Sequence, residues 1–194
     1  MQHLLQPYAV KREKFAWWEG AFSEEELDWL QNKAKEAVQK AQVGGNQNGG
    51  VKTEIRRSEL NWLPKTEESS WVFERLAGVV SNLNAKYFRF DLTGFGESLQ
   101  LTNYSYTNQG TYRWHQDFGS EGASRKLSLV LQLSNPNEYE GGELQLLTSS
   151  DPEAIKKQRG LIVVFPSWTL HQVTPVTKGT RQTLVTWISG PEFK

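Results

Sequence analysis

From Glu97 onward the side-chain period of this chain changes from that of a helix to that of a strand, and this limits its fold more than any other feature. "SLQLTNYSY" alternates Leu99, Leu101 and Asn103 against Gln100, Thr102, Tyr104 and Tyr106. "KLSLVLQLS" alternates Leu127, Leu129, Leu131 and Leu133 against Ser128, Val130 and Gln132. Successive strand side chains point to opposite faces, so each strand has one greasy face and one mixed, polar face. "NPNEYEGGELQLL", "GLIVVFPSW" and "RQTLVTWIS" supply further strands bounded by turn residues. A run of short strands without helix-length gaps, except around residues 152–159, implies an antiparallel barrel or double sheet.

The first half reads differently. Ser23 with Glu26 forms a capping box, with Phe22 and Leu27 placed as a hydrophobic staple. Leu27, Leu30, Ala34, Ala37, Val38 and Ala41 then recur at helical spacing, which predicts a helix to about residue 41. "VGGNQNGGVK", residues 43–52, is too polar to pack and reads as an exposed linker, with a lid as the alternative. A second helix is expected from about Ser70, with Val72, Leu76, Val79, Val80, Leu83 and Tyr87 on one side. Trp17, Trp18, Trp29, Trp62 and Trp71 read as core residues. The expected class is therefore α+β with a mainly β core. One domain spans residues 1–194, with helical support to about residue 96 and a strand core over about 97–194. The helices cover the leucine face of "KLSLVLQLS" and leave its polar face inside.

Lysine plus arginine equal aspartate plus glutamate, so no global field draws this chain to nucleic acid or anionic lipid. Without cysteine there is no thiolate ligand and no thiol nucleophile. No sustained apolar segment is present, and a cytoplasmic protein without a membrane association is expected.

The chemistry rests on the few histidines. "YRWHQDFG" holds His115 and Asp117 two positions apart, about 6.6 Å along a strand and on one face, so the two can converge on a small object. By itself the pair is weak evidence, and a hydrogen-bonded surface pair is the plainer reading. His171, in "FPSWTLHQVTPVTKGTR" after a hydrophobic strand, supplies a third donor. Two imidazoles and one carboxylate suit Fe(II) in a facial triad with open positions. Zinc can use the same ligands but prefers a closed tetrahedral site, and no HExxH glutamate is present.

From about Glu97 to Pro191 the chain resembles the Fe(II)- and 2-oxoglutarate-dependent dioxygenases, and among them the prolyl hydroxylase-like branch. "LQLTNY", "YRWHQD", "RKLSLVLQLSNPNEYEGGEL", "VVFPSWTLHQVTPVTKGTR" and "TWI" carry the resemblance in the family's order and spacing. "IRRSELNWLP" is also similar to bacterial and phage members. The resemblance implies a double-stranded β-helix (a jelly roll, cupin-like) flanked by N-terminal helices. It implies Fe(II) held by His115, Asp117 and His171, 2-oxoglutarate and dioxygen as cosubstrates, and ascorbate as an optional addition. Arg181, ten positions beyond His171, matches the basic residue that meets the far carboxylate of 2-oxoglutarate, a task suited to a guanidinium fork. Tyr104 matches a tyrosine on the same carboxylate, although the family's usual spacing to the first histidine selects Tyr106. Gln132, Ser128 and Thr183 lie on inward strand faces as further cosubstrate contacts. Tyr112, Trp114, Trp187 and Arg57 are the candidates for contacting substrate. Asp117 as third ligand argues for hydroxylation over halogenation, because family halogenases leave that position to chloride.

The activity implied is hydroxylation of a C–H bond, foremost in a prolyl residue of a protein or peptide, with release of succinate and carbon dioxide. Two alternatives stand: an AlkB-like nucleic-acid demethylase, and a hydroxylase of a free amino acid or other small molecule. Zero net charge speaks against nucleic acid, as does the lack of a second arginine beyond Arg181, the last in the chain. A non-catalytic cupin-like binding module is the third reading. The sequence does not specify an oligomeric state.

Overall fold

A computed structural model describes residues 13–36, 39–40, 54–118 and 124–192. In chain order its strands are β1 (Ala16–Trp18), β2 (Gln39–Lys40), β3 (Arg56–Arg57), β4 (Glu59–Leu63), β5 (Gly94–Phe95), β6 (Leu99–Ser105) and β7 (Thr111–His115). There follow β8 (Arg125–Gln132), β9 (Tyr139–Gly141), β10 (Leu144–Leu147), β11 (Glu153–Ala154), β12 (Ile162–Pro166), β13 (Leu170–Val173) and β14 (Val176–Ser189). The two α-helices among the described residues are α1 (Glu24–Lys35) and α2 (Ser70–Leu83).

The strands form two antiparallel sheets. The larger runs β1-β12-β8-β14-β6-β4-β2, with β5 and β9 also paired to β14, and the smaller runs β11-β10-β13-β7-β3. Strand alternation sorts the side chains as the sequence pattern requires. Leu99, Leu101, Leu127, Leu129, Leu131, Leu133, Leu184 and Ile188 point out of the larger sheet into one buried cluster. Leu27 and Leu30 of α1, and Val72, Leu76, Val79 and Leu83 of α2, fill that cluster from the other side. Tyr104, Val130, Val163 and Phe165 point the opposite way, toward Leu144, Leu146 and Val173 of the smaller sheet. The helices thus brace the larger sheet from outside and leave the space between the sheets for chemistry.

Asn103, on the apolar side, is satisfied by a relay. It donates to the carbonyl of Ala34 at the end of α1 (2.6 Å) and accepts from Gln182 (2.7 Å), which in turn accepts from Gln31 (2.9 Å). These bonds fasten α1 to the sheet and spare the cost of an unpaired buried amide.

Helix α1 starts as expected: Ser23 and Glu26 form both bonds of the capping box. It ends at Lys35, where Glu36 is extended and Gln39–Lys40 pairs with Glu59 and Leu60 of β4, while Ala37, Val38 and Ala41 lie outside the described residues. Helix α2 runs on into a π-helical turn, Asn84–Phe88, so that Tyr87 stays in helical structure. The first half is less purely helical than its periodicity suggests. "IRRSELNWLP" provides β3 and β4, one in each sheet, and residues 16–18 add the outer strand β1. Trp18, Trp29 and Trp71 pack against the core, but Trp17 is 60 % exposed and Trp62 is 40 % exposed. Trp17 sits at the outward position of an edge strand, where alternation alone decides its direction. The 43–52 segment lies outside the described residues. None of the described helices is long and apolar enough to cross a membrane.

Candidate active site

His115 on β7 and His171 on β13 are direct cross-strand partners in the smaller sheet. Their rings are 4.1 Å apart. Each imidazole Nδ1 is tied to the backbone oxygen two residues earlier, His115 to Arg113 (2.7 Å) and His171 to Thr169 (2.9 Å). A carbonyl only accepts, so Nδ1 carries a proton in both rings, and Nε2 of the neutral imidazole is the nitrogen with a lone pair. Both Nε2 atoms face Asp117, at 3.6 Å from Oδ1 for His115 and 3.4 Å from Oδ2 for His171. One ligand atom from each residue lies within 4.8 Å of the others. Outer bonds that fix tautomer and direction while aiming lone pairs at one point are what a metal centre needs.

Asp117 reaches this point by a different route from the one its spacing suggests. Strand β7 ends at His115, so Asp117 lies in the bend beyond it. It is held there by the larger sheet and its turn: its amide donates to the carbonyl of Ser167 (2.9 Å), Arg125 donates to its carbonyl (3.2 Å), and Ser128 Oγ donates to Oδ2 (2.8 Å). Burial opposes its charge, but His171, a hydrogen bond from His171 and His115 outweigh burial and hold the carboxyl far below the usual range. Burial, then the neighbouring His171, pushes His115 down to about 3, so it is a neutral ligand at neutral pH. Burial also pulls on His171, yet Asp117 raises it above its ordinary value.

At the other end of the interior, Arg181 is 3 % exposed and stands opposite Tyr104 in the β14–β6 register. Its guanidinium lies 5.5 Å from the Tyr104 ring centre. Burial lowers its pKa, and the groups that favour its charge, Tyr104 and Tyr139, are phenols. Among the described residues no carboxylate lies within ion-pair distance of it. A pocket opens beside it, lined by Val130, Gln132, Tyr139, Leu144 and Lys157. A buried cation without a carboxylate partner among the described residues, beside a cavity that Lys157 also lines, is ready to receive an anion.

The other candidates divide by geometry. Tyr104 is 3 % exposed in the interior, whereas Tyr106 leaves the strand for a 3-10 turn and is 54 % exposed, so the two do not share a strand face and Tyr104 is the one near Arg181. Gln132 donates to Tyr139 Oη (2.9 Å) and lines the pocket. Thr183 is buried opposite Gln132, its hydroxyl without a partner among the described residues. Ser128 faces Asp117 rather than the arginine end. Trp187 is buried beneath Arg125, 3.8 Å from its guanidinium, and its indole N–H bears on Asp117 without reaching hydrogen-bond geometry. Tyr112 is stacked on His115. Trp114 lies exposed on β7, and Arg57 is half-buried. The sequence reading passed over Arg125, Ser167 and Tyr139. Arg125 and Tyr139 flank inward-facing stretches in "RKLSLVLQLSNPNEYEGGEL", but nothing in a strand pattern says which turn residue bends inward.

Residues 99–189 match the family model described as the 2OG-Fe(II) oxygenase superfamily. A PKHD-type hydroxylase of Prochlorococcus marinus is 37 % identical over 115 residues, covering 58 % of this chain and 50 % of that protein. The chain spans about half the length of that curated relative. Among solved structures, a Pseudomonas putida prolyl-4-hydroxylase superposes with a TM-score of 0.71 at 19 % identity, covering 91 % of this chain and 92 % of the other. A Trichoplax adhaerens prolyl hydroxylase, in complex with a peptide fragment of hypoxia inducible factor, gives 0.76 at 14 % identity, covering 91 % and 84 %. Both share the fold.

Proposed function

We propose that this chain, which matches the 2OG-Fe(II) oxygenase superfamily model over residues 99–189, is an oxygenase of that kind and hydroxylates a prolyl residue in a protein or peptide. The observation that carries the reading is the pairing of two sites in one interior: the convergent His115, Asp117 and His171 donors, and the uncompensated Arg181. The donor set fits Fe(II), since two neutral imidazoles and one carboxylate form a hard, open, nitrogen-and-oxygen site. Bound iron supplies activation of dioxygen, coupled to decarboxylation of 2-oxoglutarate to succinate, with one oxygen atom entering the substrate C–H bond.

The protein's own groups do the rest. Arg181 would pair with the far carboxylate of 2-oxoglutarate, with Tyr104 and Tyr139 beside it, so the cosubstrate enters in one orientation. Thr183 and Gln132 lie along its path. His115, His171 and Asp117 would hold the metal, and Ser128 would keep the Asp117 carboxylate turned toward it. Trp187 and Val185 wall the interior and keep water away from the reacting centre. Trp114, exposed on β7, would meet the substrate at the rim. The prolyl hydroxylase titles of the structural neighbours support prolyl over other targets.

The test is to supply the protein with Fe(II), 2-oxoglutarate and dioxygen, measure succinate, and search proline-containing peptides and a lysate for gain of one oxygen atom. Succinate with peptide oxidation is the expected result. Succinate with oxidation of a free amino acid would move the substrate to small molecules, oxidative demethylation of nucleic acid would select the AlkB-like alternative, and no succinate would sink the reading.

A further inference from the structure

"IRRSELNWLP" carries an arginine that the fold buries. Arg56 is 7 % exposed on β3, at the edge of the smaller sheet, opposite Tyr112 of β7. Its Nε donates to Ser58 Oγ at 2.8 Å and its Nη2 to Gln100 Oε1 at 2.7 Å. Gln100 lies on β6, so the guanidinium crosses from the smaller sheet to the larger. Thr102 donates to the same Gln100 oxygen at 3.2 Å and fixes the acceptor. Both acceptors are neutral. A buried arginine with neutral partners stabilises a fold no better than a well-packed apolar residue would, which asks for another reason for its presence.

The ring beneath it gives that reason. The guanidinium carbon lies 4.7 Å from the centre of the Tyr112 ring, and that ring is stacked on His115 with centroids 3.4 Å apart and planes 16° from parallel. The contact exists because β7 carries an irregularity: His115 pairs with His171 while Tyr112 pairs with Val173, so the four residues 112–115 of β7 face the three residues 171–173 of β13. A bulge of this kind re-aims side chains. Here it turns two rings of odd spacing onto one side.

We infer that Arg56 is a positioning residue for His115 and acts through Tyr112, holding the imidazole plane so that Nε2 points at the triad centre. The Nδ1 bond to Arg113 fixes the ring's edge and the stack fixes its face. The inference rests on the metal reading of the triad.

Co(II) as optical probe, with the full chain, tests it, together with the NMR shifts of the His115 ring protons in metal-free protein. Arg56→Met and Tyr112→Leu should each weaken Co(II) binding about tenfold or more, the range for groups that orient a ligand. Both should alter the Co(II) absorption bands and release His115 from the ring-current shift of Tyr112. Tyr112→Phe keeps the ring and should restore the wild-type values. Ser58→Ala, which removes only the Nε acceptor, carries the test if Arg56→Met fails to fold, with an effect of the same sign. Unchanged Co(II) affinity and unchanged His115 shifts in Arg56→Met would overturn the inference. So would a Tyr112→Phe protein as defective as Tyr112→Leu, because the hydroxyl would then be the working group. Wild-type protein that bound no Co(II) would sink the metal reading and this inference with it, whereas failure in the variants alone would sink only the inference.

Discussion

Replacing Arg181 by methionine should separate what that residue does for the fold from what it does for a ligand. In the free protein the guanidinium is buried among phenols, and burial lowers its pKa. A cation whose pKa is depressed by folding costs stability at every pH below that depressed value, so the free fold should gain nothing from its charge. Methionine keeps most of the stem's packing beside Gly142 and removes the charge. The free Arg181→Met protein should therefore melt no lower than wild type, with a gain of about 1 to 4 kcal/mol as the range for replacing buried charge by apolar volume. Cosubstrate binding should respond in the opposite direction. Leaving the far carboxylate of 2-oxoglutarate unpaired costs about 3 to 5 kcal/mol, or roughly two to three and a half decades of affinity. Saturating the metal-loaded wild type at about 100 times Kd should add about 2.7 kcal/mol, which for a chain of this size is a rise of about 5 to 11 °C in melting temperature. The variant should show almost none of that rise. Calorimetric titration of 2-oxoglutarate and thermal melts with and without it supply both measurements. A free variant several degrees less stable than wild type, or one that still binds 2-oxoglutarate within a few-fold of wild type, would refute the reasoning.

Asp117→Ala should lose metal affinity by well over tenfold and lose succinate formation entirely; a variant that binds metal and turns over like wild type removes the triad assignment. Because His171 is held above its ordinary value of 6.5 by Asp117, its stabilising proton is fully present below that value and lost as pH rises through the raised one. A metal must displace that proton, so affinity should climb with pH through the same window while the metal-free protein loses stability; an affinity flat across neutrality would contradict this. Leu129→Ala removes a fully buried side chain between the larger sheet and the helices and should cost about 2 to 5 kcal/mol in denaturant melts, with under 1 kcal/mol counting against that packing. Tyr104→Phe should raise the KM for 2-oxoglutarate and Tyr106→Phe should not; the reverse order would return the site to the exposed turn.

Much of this molecule can be read in its letters because strand alternation is a local rule. Leu127 to Leu133 announce a strand, its helix-covered face and its inward face, and the structure sorts them so. His115, His171 and Arg181 are legible instead through the motifs that carry the family resemblance. Other features depend on events between strands. The bulge that brings Tyr112 onto His115 arises from the pairing of β7 with β13, which no single segment encodes. Asp117 sits beyond its strand in a bend held by Ser128, Ser167 and Arg125, residues distant in sequence. Helix α1 ends at Lys35, and the pairing of Gln39–Lys40 with β4 is likewise an event between strands. Arg56 looks in sequence like half of a solvated charge pair, and only the packing of both sheets shows it to be inside.

The two imidazoles belong to one sheet, while the carboxylate that completes their set is gripped from the other. An ion seated among them would therefore act as a clasp across the open end of the sandwich, joining layers that are otherwise fastened there by hydrogen bonds and ring contacts. Loading should be felt in the backbone as well as in the chemistry: amide protons along β7 and β13 should exchange more slowly once the clasp is shut, while those beneath the helices hardly notice.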